Sequence, residues 1–306
     1  MALFFTRGMS LAGWDAAGML SRETALYRRH LEAGRRVTLV TYGGPGERAI
    51  AARVLPGAVV CCNEGGLPLD DYAANLAGIH ARELSRVDMF KTNQVSGSRE
   101  ALDAARALGK PLAARCGYLL SDFAARMHGR DSREAREALA LEAQVFSRAG
   151  AVVVATRDMA RDVLSRVPGA RVEVVPNYVS PEFFVEHGRE PEFDICFVGR
   201  LAPQKNVLAL LEALEGLNLS CLLVGDGELR DEVRERAGAL GPRVRWEARV
   251  PHERLAGCMG SARLYAQPSH FEGHPKTILE AMFLGRPVLA ADAPGVTDLI
   301  EESGGG

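Results

Sequence analysis

The chain has 306 residues, 47% of them hydrophobic, 25% charged and 6% aromatic, which is enough for about two globular domains and excludes a hormone, a fibre or a disordered tail. Its formal charge of -2, from 37 basic and 39 acidic residues, excludes a global positive field that would draw it onto nucleic acid. No stretch approaches the ~20 apolar residues of a membrane span, and Arg7 closes the apolar start at 2–5 too early for a secretory signal, so the reading is a cytoplasmic protein.

Short apolar runs alternate with helix-period segments, the pattern of parallel strands covered by helices on both faces. Residues 2–6 read as the first strand. Ser21 caps a helix running to about Ala33, Gly34 stops it, and 36–41 give the second strand. Further strands fall at 87–91, 111–117, 151–155 and 172–175, with helices near 71–84, 98–108, 132–148 and 157–166. Together they make one doubly wound domain, residues 1–180. Pro176, Asn177 and the mixed stretch beyond them break the pattern and place a linker at 181–191. The second domain, 192–306, carries strands at 195–198, 219–224, 244–248, 263–267 and 287–290, with helices near 206–216, 228–239, 251–259 and 275–284. The expected fold class is therefore α/β, two Rossmann-like domains facing a ligand cleft at the carboxyl ends of their strands. After an apparent helix near 297–301 the chain stops without a closing strand or helix. That ending reads as a truncated frame, less stable than a longer version would be.

Six cysteines, at 61, 62, 116, 196, 221 and 258, are too sparse for a disulfide scaffold and form no CxxC pair; they read as buried thiols. Of the basic residues only Lys91, Lys110, Lys205 and Lys276 are lysine, which draws attention to each, because ammonium and guanidinium are not interchangeable at a phosphate.

The richest segment is FEGHPKTILEAM at 271–282. Pro275 suits the first turn of a helix, where its missing N–H costs nothing, and the amides around Gly273, His274, Lys276 and Thr277 then form an anion-attracting helix start. Glu272 precedes that helix, and Glu280 shares a face with Lys276 and Thr277 by i+4 and i+3 spacing. Two carboxylates around a helix N-terminus suit a ligand combining phosphates with hydroxyls; the plainer reading is a solvated acidic helix. A second segment, FVGRLAPQKN at 197–206, ends a buried strand in Gly199 and Arg200, with Lys205 five residues on, and two cations there can neutralise a diphosphate without metal. A third, LVGDGEL at 223–229, is half of a dinucleotide fingerprint and turns on Gly225. The histidines at 30, 80, 128, 187 and 252 have no ligand spacing and are assigned no chemistry, and no metal site is expected.

In order, GRLxxxK at 199–205, VGDGxL at 224–229, the EX7E pair Glu272 and Glu280, and EAMxxGxPV at 280–288 resemble the donor domain of the retaining GT-B glycosyltransferases of family 4. Val175, Pro176 and Asn177 are similar to the family's approach to its linker. The resemblance implies transfer of a sugar from a UDP-, GDP- or ADP-sugar to a glycan or lipid-linked acceptor, with retention and without a cofactor or metal. It implies that Arg200 and Lys205 bind the donor diphosphate, that Glu272 and the loop amides at 273–276 hold the sugar, and that Glu280 binds the ribose. In the first domain, DMFKTNQ at 88–94 and ARCGY at 114–118 look like motifs of a bacterial subgroup, which makes Lys91, Asn93, Arg115 and Tyr118 candidate acceptor-side residues. Many members carry a His near the second motif; here Arg115 and Tyr118 stand instead, and the role of that His is unassigned.

The resemblance also implies acceptor attack on the face from which the diphosphate leaves, as no glycosidase-like carboxylate pair is evident. Alternatives are a nucleotide-sugar epimerase of the same shape and a nucleotide-sugar-binding protein without turnover; a nicotinamide dehydrogenase lacks its complete GxGxxG. Arg28, Arg29, Arg35 and Arg36 read as a solvated helix end, with peripheral contact to an anionic membrane as the alternative.

Overall fold

A computed structural model describes residues 1–180, 182 and 190–304. Two compact units divide at Pro176 and Asn177, and the linker expected at 181–191 lies mostly outside the described residues. The first unit runs β1 (Ala2–Phe4), α1 (Leu11–Ala16), α2 (Leu20–Glu32), β2 (Thr38–Val40), α3 (Glu47–Val54), β3 (Val59–Cys61), α4 (Leu69–Ile79), α5 (Ala81–Leu84), β4 (Phe90–Thr92), α6 (Ser98–Leu108), β5 (Leu112–Cys116), α7 (Leu120–His128), α8 (Arg133–Phe146), β6 (Ala151–Val154), α9 (Arg157–Arg166) and β7 (Val172–Val174). The second runs β8 (Phe193–Val198), α10 (Val207–Glu215), β9 (Cys221–Val224), α11 (Arg230–Ala239), β10 (Val244–Glu247), α12 (His252–Gly260), β11 (Ala262–Gln267), α13 (Lys276–Phe283), β12 (Val288–Ala290) and α14 (Thr297–Glu302).

Every strand pair is parallel, in the order β3-β2-β1-β4-β5-β6-β7 in the first sheet and β10-β9-β8-β11-β12 in the second. The strand order reverses between β1 and β4, and again between β8 and β11, so each unit has a topological switch point of the kind that binds ligands in doubly wound folds. Alternation explains why helices cover both faces. Ala2 and Phe4 of β1 enter one apolar cluster and Leu3 the other, while on β8 Cys196 and Val198 oppose Ile195 and Phe197. Each such buried Phe or Leu side chain contributes about 1.5–3 kcal/mol. All six cysteines are buried and free, and burial pushes the Cys61 and Cys221 thiols up to about 12. Among the described residues no helix is long and apolar enough to cross a membrane.

The structure departs from the sequence reading in several places. Ser21 caps nothing: α2 begins at Leu20 after Gly18, whose φ of 67° turns the chain, and Ser21 already lies inside the helix. The strand expected at 87–91 is Phe90–Thr92, because register with Ala2 and Leu112 places Phe90 first in the ladder, while Val87 packs in the core from the preceding turn. The helix expected at 71–84 breaks at His80. Unforeseen elements include α1, α3, β3 and α7. The short α1 is held from both sides: Ser10 Oγ accepts from Gly13 N, and the buried Glu47 carboxylate accepts from Leu11 N at 2.7 Å and Ala12 N at 3.0 Å.

Candidate active site

The buried strand β8 delivers Gly199 and Arg200 to the switch point of the second sheet, and its neighbour β11 delivers the loop that leads through Glu272 into α13. The two loops are stitched together through Gln204, by its side chain and its backbone. Gln204 Nε2 donates to Phe271 O at 2.8 Å, and His270 N donates to Gln204 O at 2.9 Å. A 3-10 turn at Pro203–Lys205 is ended by Asn206, whose φ of 50° is left-handed, and the turn aims Lys205 back across the strands.

There Lys205 Nζ meets Glu272 Oε1 at 2.5 Å, with side-chain exposures of 18% and 8%. Two further donors end on the same oxygen, Ser269 Oγ at 2.6 Å and Gln267 Nε2 at 2.9 Å. Gln267 is itself fixed: its Oε1 accepts from Tyr265 Oη at 2.6 Å and from Thr277 Oγ1 at 3.2 Å, and Tyr265, Gln267 and Ser269 are all buried. Burial drives the Tyr265 hydroxyl well above its ordinary value, keeping it a donor. The carboxylate is therefore pinned on one side, and among the described residues no donor reaches Glu272 Oε2. Arg200 stands opposite in character, exposed and without a side-chain hydrogen bond or ion pair among the described residues.

Pro275 is the N-cap of α13 rather than its first helical residue, and Gly273, His274, Lys276 and Thr277 are all half-buried around that start. His274 O accepts from Asn177 Nδ2 at 2.7 Å, tying the loop to the beginning of the second unit. Glu280 is buried and faces α12, where His252 Nε2 lies 3.0 Å from its Oε1. His252, assigned no chemistry from the sequence, is thus a partner of the second glutamate. The residues that sequence reasoning missed are Tyr265, Gln267, Ser269 and His252; alternation along β11 marks where Gln267 ends the strand but says nothing of its bonds.

The glycines also have a structural task that the sequence does not reveal. A Cβ on Gly225, whose φ is 150°, would sit 1.8 Å from Gly199 O, and one on Gly227 would sit 2.4 Å from Leu201 O. Gly199 N donates to Val224 O, Leu201 N to Asp226 O and Leu229 N to Leu201 O, each at 3.0 Å. The loops after β8 and β9 are thus packed backbone to backbone, which only glycine permits. Gly295, with a φ of 74°, presses in the same way against Glu272 O, 2.2 Å from where its Cβ would be.

In the first unit, Arg115, Asn93 and Gln94 gather at the ends of β4 and β5. Arg115 Nη1 lies 3.4 Å from Asn93 O, and Gly117 N donates to Gln94 Oε1 at 2.9 Å. Tyr118 leans on Phe123 with ring centroids 5.5 Å apart. Lys91 is turned away from this group: its Nζ donates to Tyr27 Oη on α2 at 2.9 Å.

The sequence profile described as Glycosyltransferase Family 4 matches residues 24–183, and that described as Glycosyl transferases group 1 matches 179–306. An alpha-D-kanosaminyltransferase of Streptomyces kanamyceticus is 29% identical over 183 residues, 53% of this chain and 47% of its own length. A GDP-mannose-dependent alpha-mannosyltransferase of Mycolicibacterium smegmatis is 35% identical over 141 residues, 45% of this chain and 34% of its own length. This chain therefore spans about half or less of these curated relatives. Among solved structures, Anabaena Alr3699/HepE in complex with UDP-glucose aligns with a TM-score of 0.71 at 20% identity, covering 97% of this chain and 82% of that one. Sucrose-phosphate synthase from Thermosynechococcus elongatus gives 0.74 at 18% identity with the same coverages. Two parallel-sheet α/β domains of this order are the GT-B fold, and the chain belongs to glycosyltransferase family 4.

Proposed function

We propose that this chain transfers a sugar from a nucleoside diphosphate sugar to a glycan or lipid-linked acceptor, with retained anomeric configuration and without metal at the donor site. The observation that carries the reading is the pinned carboxylate of Glu272 at the second switch point, beside Lys205 and ahead of the α13 N-terminus, with the exposed Arg200 on the neighbouring loop. Departure of the diphosphate leaves cation character on the sugar and growing negative charge on the leaving group. Arg200, Lys205 and the amides at 273–276 stabilise that charge as it develops, and Glu272 Oε2 accepts from a sugar hydroxyl. Thr277 positions Gln267, which holds Glu272 in turn. Glu280 accepts from the ribose hydroxyls, which requires its carboxylate to share or leave His252. The family membership supports the reaction class. So does a Campylobacter jejuni N-acetylgalactosaminyltransferase, 29% identical over 114 residues, which acts on an undecaprenol-linked glycan and so supports a lipid-linked acceptor. Arg115, Asn93, Tyr118 and Lys91 are the acceptor-side candidates, with Lys91 hydrogen-bonded to Tyr27 Oη. A cytoplasmic location completes the proposal; the exposed Arg28, Arg29, Arg35 and Arg36 suit a solvated helix end, with peripheral contact to an anionic membrane as the alternative.

The deciding experiment incubates the chain with UDP-, GDP- and ADP-sugars and a lipid-linked acceptor and reads the anomeric configuration of the product by NMR. An inverted product, or donor binding with neither transfer nor donor hydrolysis, sinks the reading. Turnover should also persist in excess EDTA at a temperature well below melting, since the cation work falls to side chains and a helix start; loss on chelation with rescue by magnesium or manganese would reject this mechanism. Glu280→Gln should weaken nucleoside diphosphate binding at least about tenfold, the scale of one hydrogen bond to a charged group. A melting curve on the same variant separates this from loss of the His252 pair. If affinity stays within twofold, the ribose assignment is wrong.

A further inference from the structure

The edge strand β3 of the first unit ends in chemistry that the donor site does not use. Cys61 closes the strand, His80 joins α4 to α5, and Glu83 follows one turn later in α5. One ligand atom from each, the thiol sulfur, a ring nitrogen and a carboxylate oxygen, lies within 4.8 Å of the other two. Cys61 and His80 are buried and Glu83 is half-buried.

Two further observations point to a ligand. Tyr72 Oη lies 2.8 Å from His80 Nε2, a hydrogen bond of the kind that fixes tautomer and ring plane when an imidazole serves a metal through its other nitrogen. The Glu83 carboxylate has no hydrogen bond or ion pair among the described residues, and Arg48, whose charge reaches Cys61 and His80, is hydrogen-bonded to Glu64. An acid beside a thiol and an imidazole, with no cation bonded to it among the described residues, is a poor arrangement on its own. It becomes a good one with a divalent ion in the middle.

We propose that Cys61, His80 and Glu83 bind one borderline-soft divalent metal ion, zinc being the type, with water as the fourth ligand. As the sulfur–metal bond forms the thiol releases its proton to solvent. Thiolate, carboxylate and divalent ion then sum to zero charge, so the occupied site can stay buried without an unpaired charge. Sulfur, imidazole and carboxylate together select zinc-like ions over magnesium or calcium, which take oxygen. Metal–ligand bonds of about 2.0–2.3 Å place tetrahedral ligand atoms roughly 3.3–3.8 Å apart, so side-chain shifts of about 1 Å close the set. Without metal, burial and Glu83 keep the Cys61 thiol protonated. The site staples α4 and α5 to an edge strand, in a unit other than the one holding Glu272, and it stands whether or not the donor reading does.

The test uses the full chain, stripped with chelator and titrated with zinc against a chromogenic competitor, then with cobalt(II) as the spectroscopic probe. One equivalent of zinc should bind, and cobalt should show tetrahedral d–d bands with a thiolate-to-metal charge-transfer band. Cys61→Ser should abolish that band; Tyr72→Phe, which keeps all three ligands, should weaken zinc 10–100-fold. Glu83→Gln, at a half-buried position that tolerates change, should weaken it at least about tenfold and serves if the cysteine variant does not fold. No stoichiometric binding, a charge-transfer band that survives in Cys61→Ser, or unchanged affinity in Glu83→Gln would each overturn the proposal.

Discussion

Replacing Gly225 with alanine should lower the unfolding transition of the second unit by about 10 °C or more and disable the proposed donor site. The new methyl would lie 1.8 Å from Gly199 O, far inside contact distance, and the residue's φ of 150° belongs to a region nearly closed to other residues. Strain and overpacking of that kind each cost about 1–3 kcal/mol, and one kcal/mol moves melting by several degrees in a unit of this size. The clash cannot be relieved locally. Gly225 N donates to Glu247 O, and Gly225 O accepts from Trp246 Nε1 at 2.9 Å, so the loop is held from β10 while it pushes on β8. Differential scanning calorimetry with nucleoside diphosphate titration checks this. Melting within about 2 °C of the parent protein would mean that the loops do not depend on their close approach.

Lys205→Ala should weaken nucleoside diphosphate binding by about 1.5–3 kcal/mol, or roughly 10–150-fold, the range of a hydrogen bond to a charged group. Arg200→Ala should cost at least as much in binding, yet the two differ in what else they cost. Arg200 is exposed, so its loss should leave melting nearly unchanged. Lys205 neutralises a carboxylate that is only 8% exposed, and removing one partner of a buried pair strands the other. The double variant Lys205→Ala, Glu272→Gln should therefore recover part of the stability lost in Lys205→Ala, without recovering binding. Equal loss for nucleoside and nucleoside diphosphate would show that the lysine does not read phosphate.

These two cases show where sequence was informative. The site's outline was legible because its parts are contiguous: GRLxxxK and the stretch from Glu272 to Glu280 each lie on one strand, loop and helix start, so local periodicity already places them at a strand's carboxyl end. The doubly wound order was legible for the same reason, since β8 and its neighbours are continuous apolar runs. What stayed hidden depends on partners far apart in the chain. His252 meets Glu280 across two helices, Gln267 and Ser269 matter because of where Glu272 turns, and no spacing rule joins Cys61 to His80. Short elements were lost too: α1 contains a glycine and spans six residues, too few for a helical period to register. The glycines of the third segment stand out in the sequence as half of a dinucleotide fingerprint, but the neighbouring carbonyls that also require them are invisible there.

The Glu47 carboxylate restricts what the first switch point can bind. At the first switch point the amides that open α1 are already satisfied by an anion the chain supplies itself, buried and doubly bonded. A phosphate arriving there would have to evict a resident rival before gaining a single bond. At the second switch point the helix start α13 follows the other strand of the reversal, β11, and is capped by Pro275. The first switch point thus carries its own anion, and an incoming phosphate would find the first two amides of α1 already engaged.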